Sequence, residues 1–111
     1  MILVKWKYFH VVFIINYILR VKKPVLIFFF AVLHTIRNRY AQHSIYTYSG
    51  IVLIAVNPFQ RVTLYGPEII QAYSGRRKGE LEPHLFAIAE EAYTRMSRDG
   101  EGQTIIVSGE R

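Results

Sequence analysis

Residues 45–59 read IYTYSGIVLIAVNPF. Tyr46 and Tyr48 alternate with small polar residues up to Gly50, and residues 51–56 follow as six unbroken apolar residues that Asn57-Pro58 stops. A run of that length, rich in Val and Ile and bounded by turn residues, is the pattern of a central strand covered on both faces, with Asn-Pro as its turn. Such a strand needs covering elements, so the flanking sequence decides the class.

On the N-terminal side, Val32, Leu33, Ile36 and Tyr40 recur at helical spacing with Arg37 and Arg39 opposite, which predicts an amphipathic helix from Ala31 to about Gln42. On the C-terminal side, residues 67–73 suit a short helix with Pro67 in its first turn, and SGRRKGE (residues 74–80) reads as a solvated loop. Residues 83–99 carry the strongest helical pattern. Leu85, Ile88, Ala89, Ala92, Tyr93 and Met96 form one apolar stripe, with Glu90, Glu91, Arg95 and Arg98 outside it. Pro83 marks the start of this helix, and Gly100 and Gly102 lie beyond its end. QTIIV (residues 103–107) then predicts a closing strand that runs into Ser108-Gly109. This is an α/β order with a partial sheet flanked by helices. The strands at 51–56 and 103–108 are both too apolar for an exposed edge, so they are expected as neighbours in one sheet.

The first 30 residues have a different texture. Residues 1–40 hold seven Lys or Arg and no acid, whereas residues 41–111 hold seven basic and eight acidic residues, so the net charge of +6 belongs to the first 40. Lys5, Lys7, Arg20, Lys22 and Lys23 are scattered among apolar runs and form no polar face, which argues against a nucleic-acid surface. The two apolar runs, residues 8–19 and 25–33, each fall short of the roughly 20 residues of a membrane span. Joining them would bury three cations and a proline at the bilayer centre. No small-x-small cleavage site follows the first run, as a secretory signal would need. Residues 1–30 are therefore expected to be an atypical basic, hydrophobic leader outside the fold, and residues 31–111 its folded part.

Composition and spacing exclude several chemistries. Without cysteine there is no disulfide framework or thiolate site, and His10, His34, His43 and His84 share no metal-ligand spacing. Ser108 lacks a Gly-x-Ser-x-Gly setting, and Glu90 and Glu91, adjacent on a helix, point about 100 degrees apart. No catalytic residue is assigned. On pattern alone Asn57-Pro58 is a turn, and Tyr48, Tyr65 and Tyr73 are amphipathic residues at the edge of a core.

IYTYSGIVLIAVNPF (residues 45–59), EPHLFAIAEEAY (residues 82–93) and QTIIVSGE (residues 103–110), in that order and at those separations, resemble the myosin motor domain, and most of all its fungal class V members. The likeness covers residues 31–110. It implies part of a P-loop NTPase fold, with ATP and Mg²⁺ as cofactors, actin as partner and a place in the cytoplasmic actin cytoskeleton. It implies that Asn57, Pro58, Arg61 and Tyr65 stand on the adenine side of the ATP site, and that Gly109 and Glu110 begin the phosphate loop. By the same likeness His84 packs and caps near its helix start and does not touch nucleotide.

In the family the loop continues Ser-Gly-Ala-Gly-Lys-Thr. Its backbone N–H groups wrap the phosphates, its Lys reaches the outer phosphates and its Thr binds Mg²⁺. Here Arg111 stands in place of the Ser. The chain is accordingly expected to bind neither ATP nor Mg²⁺ tightly, to hydrolyse no ATP, and to lack the actin-binding surface. The breaks at both ends fit a gene fragment or a mispredicted gene, with intron or intergenic sequence translated at the start and an exon end at Arg111. The alternative is a small membrane-associated remnant without motor activity, resting on the leader.

Overall fold

The computed structural model describes residues 2–4 and 24–106. They divide into two compact units that meet in sequence between Leu64 and Tyr65.

The first unit contains β1 (Ile2–Val4), α1 (Pro24–Ala41), β2 (Tyr46–Ser49) and β3 (Val52–Val56). α1 opens on Pro24, where the missing N–H would have been unpaired anyway. It ends in a Schellman turn, in which His43 takes a left-handed φ of 63°. The N–H groups of His43 and Ser44 donate to the carbonyls of Tyr40 and Arg39 at 3.0 and 2.9 Å. Its half-buried positions are Phe29, Val32, Ile36 and Arg39, while Leu33 and Tyr40 are exposed. Arg39, expected on the outer side, faces inward. Its Nε donates to Thr47 Oγ1 at 3.1 Å and an Nη to the Tyr46 carbonyl at 3.0 Å, which fastens α1 to β2. A guanidinium whose donors find strand acceptors is better placed on the packed side than periodicity allows for.

β2 and β3 form an antiparallel hairpin with Tyr46 opposite Ala55 and Ser49 opposite Val52. Gly50 and Ile51 make its two-residue turn. Gly50 has φ 57° and Ile51 does not have a positive φ, the pattern of a type II′ turn. The expected strand at 51–56 is corrected here: Ile51 belongs to the turn and is 91% exposed, and in β3 only Leu53, at 2%, is enclosed. β3 is central as expected, in the order β1-β3-β2, with β1 parallel to it through Ile2↔Ile54, Leu3↔Ala55 and Val4↔Val56. The boundary expected between residues 30 and 31 falls inside α1, and three residues of the leader join the sheet. Among the described residues no helix is long and apolar enough to cross a membrane.

The second unit contains α2 (Pro67–Tyr73) and α3 (Leu85–Asp99). Pro67 opens α2 as expected. α3 starts after Pro83, with His84 as its N-cap accepting the Phe86 N–H on Nδ1 at 2.9 Å, and it stops at Gly100 in the left-handed region, φ 68°. Ala87 is buried, whereas Tyr93 and Met96, expected in the apolar stripe, are exposed. Glu90, expected outside, reaches the end of α2, where its Oε1 accepts the Gly75 N–H at 2.9 Å.

The closing strand is not formed over residues 103–106, which are irregular and exposed, with Ile105 at 64% and Ile106 at 78%. The expected pairing of 103–108 beside 51–56 is therefore absent over the described residues. Both edges of β3 are taken by β1 and β2, and an apolar run without a ladder partner leaves its backbone groups to water. Residues 107–108 lie outside the described residues.

Candidate functional site

The loop leaving β3 carries Asn57, Pro58 and Arg61, three of the four residues expected from the sequence on the adenine side. Asn57 is exposed, and its Oδ1 accepts the Phe59 N–H at 2.8 Å. This is an Asx-type turn, and it holds Phe59 at φ 52° with its ring 74% exposed. The Asn57 carbonyl lies 3.5 Å from the Tyr40 hydroxyl, a long contact that loosely ties the loop back to α1. Pro58 is half-buried and lines a depression of about 310 Å³ with Tyr40, His43, Ile45, Gln60 and Val62. Arg61 is exposed and does not line that depression. The depression has no linear signature: its walls come from the end of α1, the residue before β2 and the loop after β3.

Tyr65, the fourth residue, opens the second unit. It is 47% exposed, with its ring held edge-on to His84 at a centroid distance of 5.6 Å and to Phe86 at 6.1 Å. His84 is 3% exposed and stands 5.0 Å from the Tyr73 ring and 4.4 Å from the Phe86 ring. The Tyr73 hydroxyl donates to the Glu82 carbonyl at 2.6 Å. Burial first, and then the negative charge of Glu82, push the Tyr73 phenol above its ordinary 10.0. Four rings thus brace one another, and the ring of Tyr65 is positioned while part of its surface stays wet. His84 caps and packs at the start of α3, as read from the sequence. The structure brings Asn57 and Pro58 together on one loop, sets Arg61 further along it and fixes Tyr65 on the ring cluster of the second unit. Gly109 and Glu110 lie outside the described residues.

The family model of the myosin head (motor domain) matches residues 27–111 of this chain, a stretch that holds the β2–β3 hairpin, the Asn-Pro loop and the His84-capped helix. The chain belongs to the myosin head (motor domain) family, and is an α/β piece of that motor domain. The match begins inside α1, ahead of the start expected at residue 31. Among relatives, Myosin-2 of Lachancea kluyveri is 70% identical over 81 residues, covering 72% of this chain and 5% of that protein. Myosin-4 of Saccharomyces cerevisiae is 64% identical, covering 72% of this chain and 6% of that protein. Unconventional myosin-Vc of Homo sapiens is 56% identical, covering 72% and 5%. The particular likeness is therefore class V-like and of fungal type. The chain spans about 5% of the length of these relatives.

Proposed function

We propose that this chain carries the purine side of the ATP site of an actin-based motor, with Asn57, Pro58, Arg61 and Tyr65 as the base-facing positions. The observation that carries the reading is the state of Asn57. Its Oδ1 is committed to the Phe59 N–H, so the amide N–H₂, which has no partner among the described residues, is left to donate to a ring nitrogen of the base. Arg61 adds an exposed cation, Pro58 a rigid apolar wall, and Tyr65 a wet ring with a hydroxyl. Membership of a family of ATP-driven motors supports ATP as the ligand. Mg²⁺ as cofactor, actin as partner and a cytoplasmic, cytoskeletal location follow for the whole protein.

The phosphate side is a separate matter. Gly109 and Glu110 begin the phosphate loop.

The base-side reading is tested in a Myosin-2 motor domain carrying residues 31–110 of this chain. Asn57→Ala with Tyr65→Ala should raise KM for ATP about 10-fold or more with kcat kept within about two-fold, as loss of uniform binding requires. An unchanged KM contradicts the assignment.

A further inference from the structure

Residues 65–111 hold six cations and eight acids, yet five of those cations, Arg76, Arg77, Lys78, Arg95 and Arg98, line one open depression of about 610 Å³. Read from sequence, these were a solvated loop and the outer face of a helix. The fold makes them one surface. The triplet 76–78 sits between Gly75 (φ 73°) and Gly79 (φ 96°), left-handed positions that turn the chain on either side of it. α3 supplies Glu91, Arg95 and Arg98, which its 3.6-residue repeat sets on one face.

Lys78 has a partner of its own, but little inside the depression neutralises Arg76, Arg77 and Arg98. Glu91 is the acid of its lining, and it pairs with Arg95 at 3.0 Å. Arg76 reaches Glu80 only at 3.9 Å, with both side chains exposed, a pair worth little in water. Arg77 and Arg98 have no ion pair among the described residues. Arg98 complements the C-terminal end of the α3 dipole, but that accounts for one cation of the five. Gathering like charges in a unit with an excess of acids costs self-repulsion, which an anionic partner relieves.

We propose that this depression docks an acidic segment of a partner protein, a run of several Asp or Glu side chains. Its cations lie along two separate lines, the loop triplet and one face of α3, so a string of carboxylates meets more of them than a compact anion does. Four of the five are Arg, whose planar fork takes a carboxylate with two parallel hydrogen bonds. The proposal does not depend on the ATP reading.

The test is fluorescence anisotropy of a labelled peptide containing a run of Glu, against the 111-residue chain. The expected result is saturable binding that weakens steeply as salt rises from about 50 to about 300 mM, with the Gln analogue of the peptide silent. Arg77→Glu with Arg98→Glu should weaken binding about 10-fold or more. Arg77→Gln with Arg98→Gln should give a smaller loss in the same direction, and unchanged circular dichroism in both variants shows that the fold survives. Because the leader is also basic, Lys5, Lys7, Lys22 and Lys23 changed together to Gln serve as the control and should alter binding less than about two-fold. An equal loss in that control, binding of the Gln peptide, or displacement by inorganic pyrophosphate at lower concentration than unlabelled peptide would each overturn the proposal, the last in favour of a compact phosphate site.

Discussion

His84 performs two structural tasks at once. It caps α3 through Nδ1 and stands buried among Tyr65, Tyr73 and Phe86. His84→Ala loses both, and should cost roughly 2–3 kcal/mol in urea unfolding. His84→Asn restores an N-cap oxygen and should recover about 1 kcal/mol of that loss; equal losses would show that the cap contributes nothing. Tyr73 gives a pH dependence whose sign is fixed. Its phenol is raised above 10.0 in the folded chain, and only the protonated hydroxyl donates to the Glu82 carbonyl. The contribution is therefore fully present below the unfolded value and is lost as pH climbs through the folded one. Thermal melts of the chain and of Tyr73→Phe should differ at neutral pH and converge above pH 10.0. A difference that persists or grows there would contradict the burial argument.

The β2–β3 hairpin shows which parts of the fold the sequence expresses and which it hides. The apolar run after Gly50 announced a strand, but its first residue was misplaced because periodicity does not register a two-residue turn inside Ser-Gly-Ile-Val. Gly50 is needed for its backbone alone, since a Cβ added there would meet nothing within 4 Å. Gly50→Val should accordingly cost about 1–2 kcal/mol from the positive φ, while Ile51→Thr, at a 91% exposed position, should be nearly neutral. Paired urea titrations of the two variants check both values. The helix limits near Ala41 and Asp99 were legible because each is fixed by local cap chemistry. Arg39, the β1 ladder and the irregular state of residues 103–106 were not, since each depends on which distant segment supplies a partner.

Taken together, the chain has a hairpin tied to α1 in one unit and a ring-braced helix pair in the other. The family was legible in ordered motifs, and Asn57, Pro58, Arg61 and Tyr65 came from that likeness because no spacing marks a base contact. The Asx turn that leaves the Asn57 amide available and the basic depression beside α3 both needed three-dimensional placement. The most direct measurement of the base-side proposal is the ATP dependence of the ATPase rate of a Myosin-2 motor domain carrying residues 31–110 of this chain, with and without Asn57→Ala and Tyr65→Ala together. The predicted result is a KM for ATP raised about 10-fold or more in the double variant, with kcat kept within about two-fold. An unchanged KM would contradict it.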